Sequence, residues 1–156
     1  MPNATELSPA WRARVADARR AVLTTLGPDG RPHAVPICFV LIAGALYSPL
    51  DEKPKRSADP RTLRRIRNLA ADPRASVLVD QWDEDWSRLW FVDLVVRGAI
   101  VEPGNPGHAA AVTALRAKYA QYRDHDLERR AVVRLDLIAV NARWSASATD
   151  GDPRSS

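Results

Sequence analysis

The run Ala21-Val-Leu-Thr-Thr-Leu26, Gly27-Pro-Asp-Gly30, Arg31-Pro-His-Ala-Val-Pro-Ile-Cys-Phe-Val-Leu-Ile42 decides the fold class. Its first six residues are apolar and partly β-branched. Gly27-Pro28-Asp29-Gly30 is a strong turn signal before a second apolar run, so the two segments read as a β-hairpin. Pro36 interrupts the second run. A proline has no N–H to give to a ladder, so its position implies an edge, a bulge or a kink that faces a ligand. Ala43-Gly44 then turns the chain into a third strand, Ala45 to Leu50.

Upstream, Ser8-Pro9 is a capping residue followed by proline, and Trp11, Val15 and Ala18 recur at helical spacing, which predicts an N-terminal amphipathic helix. Downstream, Asp51 to Asp59 is a charged, proline-containing loop. Asp59-Pro60 opens a second helix running to about Ala71, with Leu63, Ile66 and Ala70 on one face and Arg61, Arg64 and Arg65 on the other. Two strands follow, Ala75 to Gln81 and Leu89 to Glu102, with Gly98 read as a bulge. Pro103 to Gly107 ends the second of them. A third helix is expected over His108 to Tyr122, with Val112, Leu115, Tyr119 and Tyr122 in one stripe, and a last strand over Ala131 to Val140. Residues 1–144 form one domain, and 145–156 read as a flexible tail.

The order helix, three strands, helix, two strands, helix, strand contains no alternating βαβ units, which argues against a dinucleotide-binding parallel sheet. Six mainly antiparallel strands with hairpin-type connections favour a small barrel, whose closure removes exposed edges. The class is mainly β (α+β), with flanking helices.

A chain of 156 residues suits one domain, and at this size roughly two thirds of the unfolded surface is buried on folding, so no disulfide framework is needed. Hydrophobic residues at 46% and charged residues at 27% exclude a mostly disordered, collagen-like or coiled-coil chain. No run approaches a membrane span, and the first thirty residues carry no apolar signal-peptide core, so the expected location is the cytoplasm. The net charge is +4, but its distribution says more than its size. Lys53, Lys55, Arg56, Arg61, Arg64, Arg65 and Arg67 face a single acid in that stretch, Asp59, while Asp80, Asp83, Glu84 and Asp85 cluster elsewhere. Nucleic acid is one partner for such a run, but no aromatic residues interleave with it to stack on bases.

Familiar catalytic motifs are absent. His33, His108 and His125 lie in different elements with no metal-ligand spacing, so no metal site is expected. Cys38, in an apolar strand beside Phe39, reads as a small buried hydrophobe. There is no nucleophile elbow and no glycine-rich phosphate loop. A compact barrel without such groups but with a phosphate-attracting loop points to a bound cofactor that carries the chemistry.

Leu23 to Ile37, the strand ending Leu46-Tyr-Ser-Pro-Leu50, the loop Glu52-Lys-Pro-Lys-Arg56 and the stretch Arg65-Ile-Arg-Asn-Leu-Ala-Ala-Asp-Pro-Arg-Ala-Ser-Val-Leu-Val-Asp80 together resemble the pyridoxamine 5′-phosphate oxidase-like split β-barrel family. Asp83-Glu-Asp-Trp-Ser-Arg-Leu-Trp90 makes the chain similar to the actinobacterial branch that uses the deazaflavin coenzyme F420. The resemblance covers about residues 10–144. It implies a six-stranded antiparallel split barrel of the FMN-binding type and a homodimer with cofactor sites at the interface. The cofactor ring would lie near Val35, Pro36 and Ile37 and near Ser48, Pro49 and Leu50. Lys55, with Lys53 and Arg56, would hold phosphate. A partner subunit would contribute Gln81, Trp82 or Trp86, with Arg143 and Trp144 nearby.

The implied activity is an F420-dependent oxidoreductase that passes a hydride to an unsaturated small molecule. The alternatives are an FMN-binding oxidoreductase of the same type and a non-catalytic flavin or deazaflavin binder. Seven basic residues in fifteen suit the phosphodiester and polycarboxylate tail of F420 better than the single phosphate of FMN. They equally suit a solvated helix face. Trp11, Tyr119 and Tyr122 read as packing. Tyr47, His33 and Asp51 are all conceivable proton sources, and the sequence does not choose among them.

Overall fold

The structure, a computed structural model, describes residues 6–50 and 63–147. Seven strands form one antiparallel sheet: β1 (Ala21–Leu26), β2 (Pro32–Ile37), β3 (Val40–Ile42), β4 (Ala45–Pro49), β5 (Arg74–Gln81), β6 (Trp90–Val101) and β7 (Val132–Ser145). Among the described residues three helices flank it: α1 (Pro9–Asp17), α2 (Arg64–Ala71) and α3 (His108–Lys118). The expected hairpin is present, with Ala21 opposite Ile37 and Leu26 opposite Pro32. Its turn closes through Gly30 N–H to the Gly27 carbonyl at 2.9 Å. Gly30 has φ +77, where a side chain would be strained.

Seven strands arise where six are expected because the Arg31–Ile42 run breaks at Cys38 and Phe39. That break decides the architecture. The sheet order is β2-β1-β5-β6-β7-β4-β3, so the two edge strands are β2 and β3. Three Cα steps from Ile37 to Val40 span at most about 11 Å, so the chain itself brings the two edges together. The sheet curls into a barrel whose seam is closed by a covalent connection and not by a ladder, a split barrel. Pro36 therefore sits on an edge strand, one of the three positions its chemistry allows.

The connector at the seam is tied down. The Tyr119 hydroxyl accepts from Phe39 N–H at 3.1 Å and donates to the Arg19 carbonyl at 2.9 Å. Lys118 Nζ donates to the Phe39 carbonyl at 2.9 Å and lies 4.1 Å from the centre of the Phe39 ring. This explains a departure from the helical pattern. The third helix ends at Lys118 and not at Tyr122, because Tyr119 is extended (φ −119, ψ 109) and a 3₁₀ turn follows. The predicted stripe Val112, Leu115, Tyr119, Tyr122 is buried all the same.

Inside the barrel Leu23, Val77, Val79, Val92, Leu94 and Leu135 are fully buried, and α1 closes one end with Trp11 edge-on to Trp90 at 6.0 Å. Ser8 caps α1 through its side chain, as the sequence implies. Helix α2 rests on the sheet through Ile66 and Leu69, and Ala70 faces solvent. A buried hydrogen bond from Asn68 Nδ2 to Thr25 Oγ1 at 3.0 Å fixes its register on β1.

Gly98 is not a bulge. It pairs in register with Leu135, and the extra residues lie on the opposite strand: Asn141 and Ile138 are skipped between consecutive pairs. Glycine is needed at 98 for another reason, since a Cβ there would stand 2.6 Å from Leu69 Cδ2 of α2. Strand β7 runs past Val140 to Ser145, and Ala146 N–H donates to the Leu89 carbonyl, so the barrel extends beyond Trp144. Among the described residues no helix is long and apolar enough to cross a membrane.

Candidate functional site

A cleft of about 160 Å³ opens at the seam. The β2 edge supplies Pro36, Ile37 and Cys38, and β4, one strand in from the other edge, supplies Ser48 and Pro49. Arg20 enters from the start of β1, Arg65 from the first turn of α2 and Tyr122 from the turn after α3. Residues about a hundred positions apart, Arg20 and Tyr122, thus meet because the two edges of one sheet meet.

The wall has two characters. Pro36, Ile37 and Pro49 make an apolar, conformationally stiff surface suited to a planar ring. Arg20 and Arg65 bring two guanidinium groups, and among the described residues no carboxylate lines the cleft. Ser48 is 3% exposed and lines the cleft. Behind the wall, burial, followed by the nearby Arg19 guanidinium, pushes the Lys118 ammonium down from 10.5 to about 8. Burial pushes the Tyr119 hydroxyl up. Among the described residues no group of three or more metal-ligating side chains occurs.

A family model for pyridoxamine 5′-phosphate oxidase matches residues 7–144. The chain belongs to the pyridoxamine 5′-phosphate oxidase family. Solved structures show the same fold. A conserved hypothetical protein of Mycobacterium tuberculosis is 22% identical with TM-score 0.68, the match covering 100% of this chain and 95% of that one. The heme storage protein HutZ of Vibrio cholerae is 14% identical with TM-score 0.66, over 90% of this chain and 94% of that one. An F420 reductase is 19% identical with TM-score 0.60, over 86% of this chain and 98% of that one. At such identities the likeness speaks for the fold alone. Among curated proteins none matches the sequence.

Of the residues that the pyridoxamine 5′-phosphate oxidase-like pattern points to, Pro36, Ile37, Ser48 and Pro49 come together in the cleft. Val35 and Leu50 pack on or in the core beside it. Lys53, Lys55, Arg56 and the acid Asp51 lie outside the described residues. Gln81, Trp82, Arg143 and Trp144 gather outside the cleft lining, where β5, β6 and β7 pair Gln81 with Trp90 and Trp144 with Phe91. There Gln81 accepts from Trp90 Nε1 at 3.1 Å, while Trp82 and Trp86 are 67% and 68% exposed. None of these lines the cleft of its own chain. His33 and Tyr47 do not line it either.

Arg20, Cys38, Arg65 and Tyr122 are the cleft residues that the sequence reading assigned elsewhere or passed over. Arg65 leaves the solvated face shared by Arg64 and Arg67 and turns to the cleft. Cys38 is half-buried at the wall and not sealed in the core. The pair Arg19-Arg20 just before a strand carries a weak signal, since successive residues of an extended chain point to opposite sides. Nothing local says which side is occupied.

Proposed function

We propose that the chain binds a flavin-type cofactor at the seam cleft, coenzyme F420 with FMN as the alternative, and is an oxidoreductase acting on an unsaturated small molecule. The observation that carries this is the convergence of an apolar proline-isoleucine wall, a buried serine and two arginines in one cleft. A planar ring with an anionic chain matches that donor set. Family membership and the fold shared with an F420 reductase are in keeping with it. When bound, the cofactor supplies the hydride. The protein's own part is to seat a flat ring on Pro36, Ile37 and Pro49, to donate from Ser48, to neutralise anionic groups with Arg20 and Arg65, and to exclude water. Orientation is its main lever. The basic loop with Lys53, Lys55 and Arg56 is assigned to phosphate.

We further assign the assembly as a homodimer. Leu78, Phe91, Val95 and Trp144 lie on the outer face of β5, β6 and β7 and are exposed, with Trp82 and Trp86 beside them. Such a patch marks an interaction surface on an otherwise ordinary domain. The cleft of about 160 Å³ is also smaller than the roughly 300–1,000 Å³ of typical ligand pockets, which fits a site completed by a second copy. A non-catalytic role is the second reading, since the described residues of the cleft wall include no carboxylate or imidazole group.

Titration of the purified protein with coenzyme F420 and with FMN, followed by fluorescence and with the mass read by light scattering, tests the proposal. Saturable binding of one of them to a dimer, weakened by Lys55→Ala, is expected. No saturable binding of either removes it, and binding without turnover against a panel of conjugated acceptors selects the second reading.

A further inference from the structure

We propose that the outer face of β5, β6 and β7 docks a second copy of this chain with its strands antiparallel and the two-fold axis crossing β6 at Val95, so that Asp93 of one protomer meets the partner's Arg97. This stacking rests on the homodimer reading given above. It adds what that reading leaves open, the register of the interface and the charge pair that sets it.

Alternation along β6 buries Val92, Leu94 and Val96 and turns Phe91, Asp93, Val95 and Arg97 outward. Phe91, Val95 and Arg97 are exposed, as are Leu78 on β5 and Ile138 and Trp144 on β7. Cross-strand pairing orders this face in rows. Ser76, Val95 and Ala139 form the middle row, with a small side chain on each side of the valine, so a second sheet can come close there. Toward one end lie Leu78 with Asp93 and then Asp80 with Phe91, and toward the other lies Arg74 with Arg97. The face is apolar at its centre, acidic toward one end and basic toward the other. The acids near the basic end are engaged by their own chain: Asp72 by Arg74 at 2.8 Å and Asp136 by Arg134 at 3.3 Å. Asp93 is fixed in place on the face, its Oδ2 accepting from Asn141 Nδ2 at 2.7 Å. Asn141 is an extra residue of β7, skipped between the pairs Asp93–Ala142 and Leu94–Val140, so the irregularity of the strand aims its amide at the carboxylate.

A two-fold interface sets a patch against itself. Two aligned stackings are open to a pair of facing sheets. With the axis along the strands, every residue of β6 faces its own copy, Asp93 on Asp93 and Arg97 on Arg97, and such like-charge contacts are strongly unfavourable. With the axis across the strands at Val95, positions two residues to either side change places, and the acidic end lies over the basic end twice. Within one chain Asp93 and Arg97 stand about 13 Å apart along the strand, too far to pair with each other. Across the axis they meet, and the guanidinium fork matches a fixed carboxylate. The charge pattern thus disfavours one stacking and selects the other.

Sedimentation of the full-length chain over a dilution series gives the dimer Kd. Arg97→Asp sets two pairs of carboxylates against each other and should weaken the dimer at least about tenfold, and Asp93→Arg should do the same with two pairs of guanidinium groups. The double exchange, Asp93→Arg with Arg97→Asp, restores both pairs in reversed polarity and should recover most of the loss. A mixture of the two single variants should form heterodimers more tightly than either forms homodimers, because every facing pair is again opposite in charge. Circular dichroism checks that each variant is folded. Where Asp93→Arg does not fold, Arg97→Gln and Arg97→Asp carry the test, the second weakening the dimer more than the first. Single variants as tight as wild type, or a double exchange as weak as they are, overturns the register and leaves the homodimer reading standing. Wild type that stays monomeric at every concentration overturns both.

Discussion

Replacing Gly98 with alanine sets two effects of opposite sign against each other. Gly98 lies inside β6, in register with Leu135, and its φ is not positive. Alanine at a regular strand position is favoured over glycine by roughly 0.5–1 kcal/mol, because less backbone entropy is lost on folding. Against this, the new Cβ would stand 2.6 Å from Leu69 Cδ2, 3.1 Å from Cδ1 and 3.3 Å from Cγ, where unstrained carbon contacts lie at about 3.5–4.0 Å. Close to 1 Å must be found. Leu69 is 4% exposed and packed in the main core, and α2 is pinned to β1 by the Asn68–Thr25 hydrogen bond, so neither the side chain nor the helix yields freely. Overpacking of this kind costs about 1–3 kcal/mol. At the middle of both ranges the clash wins by about 1 kcal/mol, and at most by about 2.5 kcal/mol, a fall in Tm of roughly 2–10 °C for a domain of this size.

Thermal and urea denaturation of a four-member cycle measures it. Leu69→Ala alone costs about 2–5 kcal/mol as a buried leucine truncation. In that background the clash is gone and Gly98→Ala should become stabilising, so the sign of the alanine effect reverses between the two backgrounds. Because Arg65 rides on the same helix, Gly98→Ala in the wild-type background should also weaken ligand binding at the cleft. Gly98→Ala that stabilises the wild-type protein, or that destabilises both backgrounds equally, refutes the close approach of α2 to β6 as the reason for glycine.

Tyr119→Phe removes the hydroxyl that serves Phe39 N–H and the Arg19 carbonyl and leaves a buried backbone donor unsatisfied. Urea unfolding should show a loss of about 1–3 kcal/mol, and a loss within error would mean that the seam connector is held by packing alone. Lys118 titrates in the folded protein near 8 against an ordinary 10.5. Between those values the unfolded chain binds the extra proton, so stability rises with pH there. Relative to Lys118→Met, wild type should gain stability between about pH 8 and 10. A difference between the two that is flat across this range would contradict the depressed value.

Much of the barrel is legible in the chain because its signals are local. Ser8-Pro9 before Trp11 and Val15 makes α1, Gly27 to Gly30 makes the hairpin turn, and alternation places Leu23, Val77, Val92 and Leu94 inward. The seven-strand count is not local. The split between β2 and β3 occurs inside an unbroken apolar run, and Lys118 and Tyr119, about eighty residues from Phe39 and about a hundred from Arg19, supply the bonds that hold it. Likewise the glycine at 98 carries the same signal for a bulge and for a close packing partner. Only the position of Leu69 distinguishes them.

The sequence by itself therefore determined the class, an antiparallel barrel with flanking helices, and the presence of one strongly basic segment. Turns, caps and strand alternation are set by neighbours along the chain, so they can be read along the chain. Tertiary structure alone decided which side chains meet. Pro36 and Ser48 become neighbours because the sheet's two edges are forced together at Cys38-Phe39, and Arg20, just before β1, lines the same cleft. A charge count shows that arginines are abundant; only the curl of the sheet selects Arg20 and Arg65 to face one cavity.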